Sequence, residues 1–251
     1  MKEERFLELY NDLDKVLRKV CSIADGDYAD VGSMLAKAKD LSPINPVQAN
    51  WDNLYVARQL RNLMVHEKRT GLKEVAQPSQ ELIAVLEKVI AQYESPVTLA
   101  DYLASSQKAR PISFSITTPL SQALEVVDRE HFSKFPLFSQ TGYQGLLSEN
   151  GISNWLARSI HESTSLKELV QKTPLSRVLA CEEASLRVLT LPASSSLFQL
   201  IEQVTAVGGS RKAAVLVSRR KDGTVLEVED LVGIITSHDL AEIYATIGEK
   251  L

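Results

Sequence analysis

Cysteine is nearly missing from this sequence: Cys21 and Cys181 are the two it has in 251 residues. Two isolated thiols exclude a disulfide framework and a cysteine-rich zinc cluster, and they suit a reducing compartment. Long apolar runs are missing as well. The longest aliphatic run, Ala213 to Val217, is far short of the roughly 18 residues a membrane-spanning helix needs. The opening residues Met1-Lys2-Glu3-Glu4 are acidic, with no leader-type apolar stretch behind them. The expectation is therefore a cytoplasmic protein that makes no contact with membrane. Excess positive charge is also lacking. Lys and Arg number 28 against 32 Asp and Glu, a net charge of -4, so any nucleic-acid binding must be local. His131, His161 and His238 are scattered without metal-ligand spacing. No Walker-type phosphate loop, Gly-x-Ser-x-Gly elbow or zinc motif is found, which leaves common hydrolase and dehydrogenase chemistry without support. No metal or cofactor is called for.

What is present is ordinary globular material. Hydrophobic residues make up 44% and charged residues 24%, enough apolar side chain to bury a core. Length suits one large domain or two modest ones. The first 95 residues read as helices. Phe6, Leu9, Leu13, Val16, Leu17 and Val20 recur at helical spacing, and two more periodic stretches run from about Val47 to Arg69 and from about Ser79 to Tyr93. Ser42-Pro43-Ile44-Asn45-Pro46 marks a loop. Ser95-Pro96 closes the segment, because the residue before proline leaves helical geometry.

Beyond about residue 105, short β-rich runs alternate with short amphipathic helices, and the pattern occurs twice. The first copy runs through Thr117-Thr118-Pro119-Leu120, Phe135-Pro136-Leu137-Phe138 and Gly145-Leu146-Leu147-Ser148. The second runs through Leu191-Pro192-Ala193-Ser194, Ala213 to Val217 and Gly233-Ile234-Ile235-Thr236. Leu120 to Gly145 spans 25 positions and Leu197 to Gly233 spans 36. The surplus lies in Ser218 to Asp230, centred on the hairpin signal Lys221-Asp222-Gly223-Thr224. Each copy is a β-α-β-β-α unit whose natural partner is the other copy. The expected class is α+β: a helical bundle over 1–95, then units over 96–172 and 173–251.

The string Gly233-Ile234-Ile235-Thr236-Ser237-His238-Asp239-Leu240 carries the sharpest signal. A strand ends there and a helix begins, with a hydroxyl and a carboxylate placed as in a capping box. Capping alone accounts for those residue types. The same geometry also suits phosphate at the free N–H groups of the helix start and ribose hydroxyls at the carboxylate. The doubled unit resembles a pair of CBS domains, a Bateman module, over roughly residues 100 to 247. That resemblance implies an adenine nucleotide as regulatory ligand. It places Thr236 on phosphate or ribose and Asp239 on the ribose hydroxyls, with His238 in the same turn. The strand backbone near Ala213 and Ala214 would then face the adenine. In the first copy Ser148 keeps the hydroxyl, but Gly151 stands where Asp is expected, so one competent cleft and one degenerate cleft are expected.

The N-terminal part carries a second signal. At ~100° per residue, Val56, Ala57, Leu60, Leu63 and Met64 gather on one arc, the expected core. Arg58, Asn62, His66 and Arg69 gather opposite, with Arg61 at the edge. Trp51, Tyr55 and Val65 share that outer arc, and apolar residues beside charges suggest a covered contact surface, here a homodimer. Arg61-Asn62 followed by His66 resembles the Arg-x4-6-His motif of HEPN domains, helical bundles that often dimerise, some of which cut RNA. The resemblance implies His66 as general acid or base, Arg61 on the phosphate and Asn62 as an orienting neighbour. Three readings stay open: a nucleotide-sensing regulatory protein whose bundle dimerises and relays the signal, a nucleotide-gated ribonuclease that takes RNA as substrate, and a pure scaffold with degenerate sites.

Overall fold

The computed structural model describes residues 2–24, 26–66, 76–106, 108–159, 165–208 and 213–250. Glu67, Lys68, Arg69, His161, Arg211 and Lys212 lie outside them, as does the side chain of His66. The chain divides into two units. One comprises residues 1–97, 196–205 and 242–251, and the other residues 98–195 and 206–241.

In the first unit, α1 (Lys2–Val20) turns Phe6, Leu9, Leu13 and Leu17 inward. Helix α2 (Val31–Lys39) starts where the Asp30 carboxylate accepts from the Gly32 and Ser33 N–H groups at 2.8 and 3.2 Å. Its inward residues Met34, Leu35 and Ala38 recur at helical spacing, although the sequence reading singled out no helix there. Asn45 caps α3 (Pro46–Ala49) at the expected loop, and α4 (Trp51–His66) follows. Ser79 caps α5 (Gln80–Glu94) by accepting from the Leu82 N–H at 3.1 Å, so the helix start expected at Ser79 is found. Leu82, Ile83, Leu86 and Val89 of α5 join the same core as α1, α2 and α4.

Helix α4 is rotated from the expected arc by somewhat less than one residue step of ~100°. Leu54, Ala57 and Met64 are buried, whereas Val56 and Leu63, expected in the core, are 54% and 40% exposed. Arg61 lies on the buried side, its guanidinium 5.8 Å from the centre of the buried Tyr10 ring. A long side chain can bury its stem and spread its charge over an aromatic face, so a cation can occupy a core-facing position. The wheel placed Arg61 at the edge of the outer arc, and the rotation of α4 carries that edge to the buried side.

The second unit begins with α6 (Leu99–Ser105), started by a capping box between Thr98 and Asp101. The first repeat is β1 (Phe114–Ser115), α7 (Leu120–Glu130), β2 (Lys134–Ser139), β3 (Gly142–Ser148) and α8 (Glu149–Ser159). Two short helices, α9 (Leu166–Lys172) and α10 (Leu175–Leu179), connect it to the second. In chain order that copy is β4 (Arg187–Pro192), α11 (Leu197–Ala206), β5 (Ala213–Ser218), β6 (Leu231–Ile235) and α12 (Leu240–Lys250), of which α11 and α12 fall almost wholly in the first unit. The β-α-β-β-α order therefore occurs twice, and the class is α+β. Each copy makes a three-stranded sheet, β1-β2-β3 and β4-β5-β6, with a parallel pair followed by an antiparallel pair. Between β5 and β6 the chain turns at Asp222-Gly223, where the Thr224 N–H donates to Asp222 and Gly223 takes φ +76°, a value that favours glycine. Phe135 pairs with Leu147 and Val215 with Ile235, so Lys134 in the first copy corresponds to Ala214 in the second.

Candidate functional site

The strand-to-helix turn after β6 is where the sequence placed it. Asp239 stands just before α12 and is only 8% exposed. Its Oδ2 accepts from the Thr236 backbone N–H at 2.6 Å and from the Thr236 hydroxyl at 3.2 Å. This is the carboxylate half of a capping box, folded back over the turn. The other oxygen, Oδ1, pairs with the ammonium of Lys108, 131 residues away in the chain. A carboxylate this buried needs such partners, since leaving it unpaired costs several kcal/mol. Lys108 also lies 5.7 Å from the centre of the Tyr102 ring.

Thr236 and Asp239 line a cavity of about 460 Å³, within the range of small-molecule sites. Gly233 and Ile234 of β6 form one wall. Lys108, Arg110 and Ile112, from the segment between α6 and β1, form another. The third is His131, Phe132, Ser133 and Lys134, where α7 ends and β2 starts. His131 closes α7 in the left-handed region, φ 57°, which is uncommon for a residue with a side chain. At Gly233 a Cβ would lie 2.5 Å from the end of the Leu103 side chain, so a larger residue there would push that leucine aside.

Three of the expected ligand-binding residues lie elsewhere. Ala213 and Ala214 do not line the cavity: β5 is the buried central strand of its sheet, and Ala214 belongs to the core with Leu216 and Phe138. The strand start that does reach the cavity is that of β2, in the other copy, at the position matching Ala214. His238 is exposed and is not part of the wall.

Ser148, the counterpart of Thr236, is buried after β3. It caps α8, its hydroxyl accepting from the Gly151 N–H at 3.4 Å. Its own N–H and hydroxyl donate to Glu182, at 2.7 and 2.8 Å. The carboxylate that Gly151 cannot supply is thus brought from the segment after α10. Glu182 fits because Gly151 has no side chain: a Cβ there would sit 2.5 Å from Glu182 Oε2. The sequence reading missed Lys108, Arg110, Lys134 and Glu182, and no local pattern marks them.

In the first unit, Arg61 and Asn62 are half-buried, Arg61 against Tyr10. Tyr55 and Val65 are exposed as expected, but Trp51 is half-buried, with the Lys39 ammonium 4.3 Å from its ring centre. Among the described residues, no helix is long and apolar enough to cross a membrane.

No family model and no curated protein matches the chain. Solved structures similar to it include CBS-domain proteins. One from Agrobacterium tumefaciens is 16% identical, covering 59% of this chain and 92% of its own, with a TM-score of 0.40. An acetoin utilization protein from Vibrio cholerae is 18% identical over 61% and 93%, with a TM-score of 0.39. A CBS domain protein from Pyrobaculum aerophilum, solved with AMP, is 15% identical over 61% and 99%, with a TM-score of 0.40.

Proposed function

We propose that the repeats over 96–172 and 173–251 work as a CBS pair that senses an adenine nucleotide in the cavity at Thr236 and Asp239. The observation that carries this reading is the joint placement of those two residues, a helix start and basic side chains around one nucleotide-sized cavity. Asp239 accepts the ribose hydroxyls, and Thr236 with the turn N–H groups faces the phosphate end. Ile112 and Phe132 offer apolar surface for the base. The bundle over 1–95 acts as output, self-associating through α4, where Tyr55, Val56, Leu63 and Val65 are exposed.

A thermal-shift panel tests the ligand. A nucleotide at 100 times its dissociation constant stabilises by about 2.7 kcal/mol, a rise of roughly 5–10 °C at this size. Asp239→Ala abolishes that rise. A panel in which no adenine nucleotide raises the melting temperature overturns the reading and leaves the Thr236 turn as a helix cap. Light scattering tests the output: a mass twice the 27.8 kDa of the chain is expected, and Leu63→Glu returns it to that of one chain.

A further inference from the structure

The cavity's charge runs against that of the chain. The protein carries a net charge of -4, yet three cations, Lys108, Arg110 and Lys134, line the cavity against one carboxylate, Asp239. Lys108 is already paired with Asp239, whereas no carboxylate lies within ion-pair distance of Arg110 or Lys134 among the described residues. Cations lining one concave site raise the local concentration of anions, Arg110 from an exposed position and Lys108 and Lys134 from half-buried ones.

A nucleoside entering this site meets an exchange problem. Its ribose hydroxyls compete with Lys108 for Asp239. The Lys108 side chain is only 29% exposed, so losing its carboxylate without a substitute is costly. An uncharged nucleoside offers no substitute. One phosphate can replace the carboxylate as partner of Lys108, but Arg110 and Lys134 then still face the cavity uncompensated. A chain of two or three phosphates carries enough charge, over enough length, to serve all three cations. A sulfonium ligand such as S-adenosylmethionine adds positive charge where three cations already stand.

We propose that the cavity selects its ligand by phosphate number: it takes a nucleoside di- or triphosphate, with Lys108, Arg110 and Lys134 on the phosphates, in preference to a monophosphate, nucleoside or sulfonium. This rests on the nucleotide reading above and sharpens it. The ligand's phosphate charge displaces the Lys108–Asp239 pair and frees Asp239 for the ribose.

The test is calorimetric titration of the full chain with adenosine, AMP, ADP, ATP and S-adenosylmethionine, in EDTA so that only protein cations meet the phosphates. Affinity should rise by roughly tenfold from AMP to ADP or ATP, with S-adenosylmethionine weakest of the charged ligands. Arg110→Gln and Lys134→Gln should each weaken ATP about tenfold while leaving AMP within threefold. Raising salt should weaken ATP more than AMP. If adenosine, AMP and ATP bind equally, or S-adenosylmethionine binds tightest, the phosphate-count proposal is overturned while the nucleotide reading stands. If none of the five binds, the nucleotide reading itself fails. Binding of ATP that both Gln variants leave unchanged also overturns the proposal.

Discussion

The two strand-to-helix turns, Gly145–Gly151 and Gly233–Asp239, face one problem and solve it from different places. Each ends a strand on a hydroxyl residue, Ser148 or Thr236, whose backbone N–H needs a strong acceptor. In the second copy the acceptor is local: Asp239, three residues on, folds back over Thr236 and holds Lys108 with its other oxygen. In the first it is remote: Glu182 reaches Ser148 through the space Gly151 leaves open. The remote carboxylate fills its own turn. The local one tucks against the chain and leaves the space beside it as a cavity. A motif residue lost from a repeat therefore does not show that its role is lost. Its acceptor role has passed to a distant chain segment, whose Glu182 carboxylate occupies the space beside Gly151.

The largest effect should come from removing the remote carboxylate. Glu182→Ala strips Ser148 of two charge-assisted bonds and should cost about 2–3 kcal/mol, roughly 5–10 °C in melting temperature. Gly151→Asp alone sets a second carboxylate against Glu182 and should also destabilise, by about 1–3 kcal/mol. Combined, the two substitutions place the carboxylate where the second copy has it, and the pair should recover most of either loss. Additive losses in the double variant would break the equivalence of the turns. A smaller effect is expected from Arg61→Ala, which removes the guanidinium from the Tyr10 face: about 1 kcal/mol, or roughly 2–4 °C. An unchanged melting temperature would return Arg61 to the outer arc where the wheel had placed it. Smallest is Ser148→Ala, which should lower stability slightly and leave nucleotide affinity as it was.

What the sequence discloses follows the range of the interaction. The Thr236–Asp239 turn is legible because the hydroxyl, the carboxylate and the helix start lie within five consecutive residues. The doubled β-α-β-β-α order is legible because strand and helix periods alternate on a short scale. Lys108, Arg110 and Lys134 carry no local mark: an isolated cation in a connecting segment looks like any surface residue until the fold brings it to the cavity. Glu182 is hidden for the same reason, and Gly151 looked like a lost site because glycine's contribution there is space. The cavity that Thr236 and Asp239 line has its strand wall from β2 of the other copy and not from Ala213 and Ala214, an arrangement between copies that a one-dimensional pattern cannot register. On α4, Arg61 was expected at the edge of the outer arc, and the helix is rotated so that this edge meets Tyr10, where an apolar stem lets a cation be accommodated.

The number of nucleotides each chain holds tests the central claim most directly. Calorimetric titration with ATP should give one site per chain, lost in Asp239→Asn and kept in Ser148→Ala. Two sites per chain, or one that survives Asp239→Asn and disappears in Ser148→Ala, would contradict the account.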